Sequence, residues 1–205
     1  ITGDRLRQRI SVADGARAQV RGQGAVSVHR RGAGAGAVEE LELAATTGGY
    51  LENLAEPRLL HDDSDFEQHT RVELGQGAVL TVEAVVVIGA RCRYDSTLEV
   101  RAEGHLLARE RTRFTDADLP TGTSAVGLLV LVGDGSSTPA LREADWADWE
   151  RDVAGAAAYG AVSRLPHDAG VAVRVAARDG AALRDAMDRA VELVRCSQGG
   201  SSRHK

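Results

Sequence analysis

The sequence predicts a mainly β protein, built of stacked twisted β-sheets with few helices, one of them a C-terminal amphipathic helix. Three observations carry this. Apolar residues recur with period two through most of the chain up to about position 130. Turn-forming residues interrupt them about every 8–12 positions, the spacing of short strands. Glycine is frequent at 23 residues and proline scarce at 4, which suits many turns between strands.

The elements follow in order. In "AQVRGQGAVSVHR", Val20, Ala25 or Val26, and Val28 stand among polar neighbours, with Gly22 and Gly24 loosening the strand. "AVEELEL" alternates less cleanly and is closed by the turn "AATTGGY". "RVELGQGAVLTVEAVVVIG" reads as a strand pair about "GQG". Leu80, Val82, Ala84, Val86 and Ile88 share one face, and Val85 and Val87 make the other face apolar, which marks a central strand covered on both sides. "TLEVRAEGHLLARERTRF" reads as a hairpin turning at Glu103-Gly104. "SAVGLLVLVGDG" is a buried-strand run, and "STPALREADWADWERDVAGAAA" is alanine-rich and helix-compatible, with Pro139 near its start. Val171, Val173 and Val175 alternate again. Finally, Leu183, Ala186, Met187, Ala190, Val191 and Val194 form a helical stripe, with Arg184, Asp185, Asp188, Arg189 and Glu192 on the opposite face.

At 205 residues the chain suffices for one domain with a substantial core. Residues 1–196 are expected to form a single β-rich domain and 197–205 a disordered polar tail. With 43% apolar but only 3% aromatic residues, the core must rest on Val, Leu and Ala. The net charge of −5, with arginines interleaved among acids, argues against nucleic acid as partner. Cys92 and Cys196 make no CxxC pair, so reduced thiols and a cytoplasmic location are expected. No stretch approaches the roughly 18 apolar residues of a membrane span, and no membrane role is expected. "ITGDRL" is not a signal peptide. It lacks an initiator Met, and a segment upstream is expected to be missing.

"LLHDDSDFEQHT", Leu59 to Thr70, offers His61, Asp62, Asp63, Asp65, Glu67 and His69, a donor set suited to a borderline divalent ion such as Ni²⁺. It has no HExxH and no EF-hand spacing. "DDSD" is equally a solvated turn between strands, and the turn reading comes first. The glycine pairs at 22–26 and 75–78 do not lie between a strand and a helix, so they are not phosphate loops. Trp146 and Trp149 in "DWADWERD" read either as an exposed partner patch or as a buried anchor. No nucleophile with its base is evident, so no catalytic residue is assigned and no enzyme is expected. A hydrolase built on a carboxylate pair about 5–10 Å apart in an open cleft is the remaining enzymatic reading.

Taken in order, several segments resemble the urease accessory protein UreD (UreH) family. In "GDRLRQRISVADGARAQVRGQGAVSVHR" the matching residues are Gly3, Asp4, Leu6, Gly15, Ala16, Gln23, Val28 and Arg30. In "GGYLENLAEPRLLHDDSDFEQHTRVELGQGAVLTVEAVVVIG" they are Leu51, Glu52, Leu54, Pro57, Gln68, Thr70, Gly77, Ala78, Leu80, Glu83 and Gly89. Ala55-Glu56 stands where the family has Pro-Gln. "GARCRYD" keeps Gly89 and offers Asp95 for the family's glutamate, without its arginine and second glycine. The closing strand-then-helix is similar as well.

The resemblance implies a UreD-like β-rich domain, not an enzyme, that acts as a scaffold or chaperone for nickel delivery into apo-urease together with UreF and the GTPase UreG. No cofactor is tightly bound on this reading. Ni²⁺ is cargo in transit, by a route through the protein's interior. Ligands on such a route must bind weakly enough to release. Glu52, Glu83 and Asp95 fall in the family's motifs and are the candidates for nickel-conduit or buried polar groups. They could equally bond backbone amides or arginines and hold sheets together. His61 and Asp62 are weaker candidates, at an entrance. The alternative function is a β-rich protein-binding module with no role in nickel incorporation.

Overall fold

In the computed structural model, which describes residues 3–32, 34–133 and 143–199, the alternating segments become thirteen strands, joined by two α-helices among the described residues. In chain order these are β1 (Arg5–Val12), β2 (Arg17–Arg21), β3 (Val26–Val28), β4 (Ala37–Ala45), β5 (Tyr50–Leu54), β6 (Arg58–Leu60), β7 (Asp65–Leu74), β8 (Ala78–Val87), β9 (Arg93–Ala102), β10 (His105–Thr115), β11 (Ala125–Gly133), α1 (Glu143–Gly155), β12 (Ala158–Arg164), β13 (Gly170–Ala177) and α2 (Gly180–Gly199).

The chain winds between two sheets. β1, β4, β7 and β9 lie side by side and parallel in the first sheet, closed by antiparallel β10. β2, β5 and β8 form the parallel part of the second sheet, which continues through β11, β13 and β12, each antiparallel to its neighbour. The short β3 and β6 extend the same rungs, β3 on β6 and β6 on β8. Arg5 lies beside Val38 and Arg17 beside Tyr50, a winding of 33 residues. Asp65 lies beside Arg93 and Tyr50 beside Ala78, a winding of 28.

This geometry corrects the reading of Arg71–Gly89 as a strand pair. β7 and β8 are consecutive but belong to different sheets, and the Gly75–Gly77 turn carries the chain across. The hairpin at Glu103-Gly104 is present as expected, with Ala102 opposite His105. β8 is central and covered on both faces. Leu80, Val82 and Val86 pack with Leu129, Leu131 and Val173 beneath the helices, while Val79 and Val85 point between the sheets.

The result is three layers: first sheet, second sheet, helices. The helical stripe explains the third. Leu183, Met187, Val191 and Val194 all lie in the core under α2, each contributing roughly 1.5–3 kcal/mol by burial. Asp179 starts the helix by accepting the backbone N–H groups of Ala181 and Ala182 at 3.0 and 2.9 Å. The helix runs to Gly199, three residues past position 196, and residues 200–205 of the expected tail lie outside the described residues, as does Pro139. Both tryptophans are the buried anchor of α1. Their rings meet edge-to-face at 5.8 Å, and Trp149 Nε1 donates to Ala186 O at 3.1 Å. No described helix is long and apolar enough to cross a membrane.

The outer face of the first sheet carries charges that pair across strands. Arg7 meets Glu40, Arg93 meets Asp65 at 2.8 Å and Arg109 meets Glu99. Parallel strands are usually covered on both faces. Here opposite charges on neighbouring strands let a mostly parallel sheet leave one face to solvent.

Candidate functional site

Strand alternation dictates which side chains enter the space between the sheets, and on six strands, β4 to β9, it brings in polar ones. Along β7 the inward residues are Phe66, Gln68, Thr70, Val72 and Leu74, and along β8 they are Val79, Thr81, Glu83 and Val85. β4 supplies Glu39, β9 supplies Ser96, and β5 supplies Asn53. Register aligns them, since Glu39 lies beside Gln68 and Gln68 beside Ser96. A buried polar belt therefore divides the inter-sheet layer. Leu41, Leu43, Val72, Val79, Leu98 and Val100 pack on one side of it. Leu60, Phe66, Val85 and Tyr94 pack on the other.

Inside the belt each polar group has a partner, as burial demands. Thr70 Oγ1 and Ser96 Oγ donate to the two carboxyl oxygens of Glu83 at 2.6 and 2.7 Å. Asn53 Nδ2 donates to Thr81 Oγ1 at 3.1 Å, and Tyr94 OH to Gln68 Oε1 at 3.4 Å. Arg58, at the start of β6, reaches in to grip Glu39 with two bonds of 2.9 and 2.7 Å. Its third nitrogen donates to Glu56 O at 2.5 Å. Burial pushes the Glu83 carboxyl above the ordinary glutamate range, although the two hydroxyls oppose the shift. Burial, and then the charge of Glu83, push Tyr94 well up.

The structure places the three candidates in three different layers and does not bring them together. Only Glu83 is in the belt. Glu52 points the other way from the second sheet, toward the helices, where Arg195 at 2.6 Å, Gln19 at 2.7 Å and Tyr50 at 3.1 Å hold it. Burial raises its pKa, but these bonds outweigh burial and leave it lowered. Asp95 lies on the outer face of the first sheet. Hydrogen bonds from Arg111 at 3.1 and 2.9 Å lower its pKa, against burial and with help from Arg113.

His61 and Asp62 begin the turn between β6 and β7. The His61 ring stacks on His29 at 4.5 Å, and its buried Nε2 has no hydrogen-bond partner. Asp62 Oδ1 accepts Ala90 N–H at 2.7 Å. Asp65, Glu67 and His69 belong to β7 and share its outer phase, where His69 faces Glu67 at 3.0 Å. Among the described residues no three histidines, cysteines or carboxylates converge as a metal cage. The belt residues that sequence reading did not single out are Glu39, Asn53, Arg58, Thr81 and Ser96. A signal for some was there, because Glu39 stands in phase with Leu41 and Leu43, and Gln68 and Thr70 in phase with Phe66 and Val72.

The Glu83 shift has a pH consequence. A carboxyl whose folded pKa is raised stabilises the fold below its unfolded value, about 4.3 for glutamate, and that contribution is lost as pH rises through the folded pKa. The Glu83→Gln variant cannot ionise. Its urea midpoint relative to wild type is therefore expected to rise as pH climbs from the unfolded glutamate value through the raised folded value, and then to level off. A difference that stays flat over that range contradicts the shift.

The family of the UreD urease accessory protein matches residues 1–205 of this chain. Urease accessory protein UreD of Mycolicibacterium smegmatis is 35% identical over 191 residues, 90% of this chain and 68% of that protein. UreD 2 of Bradyrhizobium sp. strain BTAi1 is 34% identical over 205 residues, 94% of this chain and 70% of its own. UreD of Natronomonas pharaonis is 30% identical over 205 residues, 91% and 67% respectively. With a match along its whole length and relatives at this level of identity, the chain belongs to the UreD urease accessory protein family.

Proposed function

We propose that this protein is a non-catalytic scaffold in urease maturation that delivers Ni²⁺ into apo-urease together with UreF and UreG, in the cytoplasm. The cargo moves along the belt between the sheets, and no cofactor is held tightly. The observation that supports this is the belt itself. A stack whose inward positions are otherwise mainly Val, Leu, Ala and aromatic residues carries a row of buried oxygen-bearing side chains around Glu83. Buried polar rows are costly, and here the fold has little use for one, since apolar residues fill both flanks. Two hydroxyls and one carboxyl form a hard, oxygen-only ligand set that holds a borderline divalent ion such as Ni²⁺ weakly, which suits transit better than storage.

The test is urease activity and urease-bound nickel in cells lacking their own UreD gene and supplied with this chain. Wild type is expected to restore both. Glu83→Gln, at equal soluble level, is expected to lower urease nickel about tenfold, the factor set by roughly 1.4 kcal/mol at one site. Full nickel loading with Glu83→Gln would remove the belt from the route. Failure of the wild-type chain would leave the protein-binding module as the better reading.

A further inference from the structure

We infer that Arg58 is a resident counter-cation of the belt, seated where a divalent cation would otherwise be held by Glu39, so that it sets how weakly the belt binds its cargo. The inference rests on reading the belt as a cation route and deepens it. The geometry points to this role in three ways.

First, the guanidinium is itself a cation already in the belt. Arg58 is 8% exposed and Glu39 3% exposed, and their bidentate contact is the belt's one salt bridge among the described residues. Second, the two glutamates are near one another. Glu39 is on β4, beside Gln68 of β7, while Glu83 is bonded to Thr70 of β7 and Ser96 of β9. Both side chains enter the same inter-sheet space from facing sheets, and Glu83 feels the charges of both Glu39 and Arg58. Third, Arg58 has a way out. β6 and β5 are separated by Ala55–Pro57, and its Nη1 is already bonded to Glu56 O in that segment. A guanidinium that swings along this segment leaves Glu39 free.

The physical consequence is a charge exchange. With Arg58 in place, the charge of Glu39 is neutralised and the belt attracts a further positive charge less strongly. With Arg58 displaced, two carboxyl groups and the Gln68, Thr70 and Ser96 oxygens face the same space. Because a planar guanidinium must give up two bonds to Glu39 before an ion can take them, the ion's hold is weakened by what Arg58 gains on returning. A route that must release its cargo requires that kind of competition.

The test uses nickel sulfate titrated calorimetrically into the purified full chain at pH 7. Arg58→Met is expected to bind Ni²⁺ about tenfold more tightly than wild type, and the gain is expected to disappear in Arg58→Met with Glu39→Gln and in Arg58→Met with Glu83→Gln. If Arg58→Met does not fold, Arg58→Lys, which keeps the charge but loses the two-bond grip, gives the same reading, with about threefold tighter binding expected. Affinity unchanged or weakened in the folded variant overturns the inference, and so does a gain that survives loss of Glu83. Urease nickel separates this outcome from the functional reading. Tighter binding with full urease loading by Glu83→Gln cells keeps Arg58's role and rejects the route.

Discussion

Replacing Gly89 or Gly170 by alanine is expected to abolish the fold, with losses above about 4 kcal/mol each, whereas Gly24→Ala is expected to change stability by less than about 0.5 kcal/mol. The three glycines look alike in sequence but not in space. A β-carbon on Gly89 would lie 2.1 Å from Asp62 N and 2.5 Å from His61 C. Both are backbone atoms of a turn that is pinned in place, since Gly89 N–H donates to Leu60 O and Asp63 N–H to Ala90 O. Gly170 is worse placed. Its φ is +147°, which L side chains rarely adopt, and its β-carbon would meet Leu131 O at 1.9 Å. Neither neighbour is a flexible side chain that can give way. Gly24, by contrast, has nothing within 4 Å. Urea unfolding, or soluble yield where the variant does not fold, checks the ranking. Gly89→Ala within about 1 kcal/mol of wild type would mean that the 60–63 turn moves freely.

That contrast also shows what the sequence could and could not disclose. The class of each element was legible because burial on one face leaves a period. Leu80 to Val86 alternates and Leu183 to Val194 repeats at helical spacing, and the structure places both as read, whereas Ile88, expected on the same covered face, lies past the end of β8 and is 54% exposed. Which strands pair was not legible. Parallel windings leave no common motif, because each inward position asks only for something apolar of suitable size, and the windings differ in length, 33 residues and then 28. A short glycine turn such as Gly75–Gly77 fits a hairpin as well as a crossing between sheets. The site suffered from the same gap. Family motifs pointed to Glu52, Glu83 and Asp95 together, but one-residue phase differences set them on opposite faces of sheets. Glu52 and Asp95 found arginines at 2.6 and 2.9 Å, and only Glu83 entered the belt. Arg58 was hidden for another reason. An arginine after a proline reads as surface, and only the packing shows it turned inward onto Glu39.

The Arg58–Glu39 pair should show that the belt is not kept for stability. Arg58→Met alone leaves the buried Glu39 carboxylate with no counter-charge, and Glu39→Leu alone leaves a buried guanidinium in the same state. Each single change is expected to cost about 3–5 kcal/mol. The double replacement, Glu39→Leu with Arg58→Met, removes both desolvation penalties and adds apolar surface continuous with the flanking clusters. It is expected to fall within about 1 kcal/mol of wild type, giving a coupling of several kcal/mol in a double-mutant cycle measured by urea unfolding. Losses that simply add would mean that the two side chains act apart and that the bidentate contact does not govern the region. If the coupling is found, an apolar pair serves the fold as well as the ionic one does. The charges then need another reason to be there. On the function proposed above, a belt in which Glu83 is held by two hydroxyls and Glu39 by the Arg58 guanidinium has one in the passage of another cation.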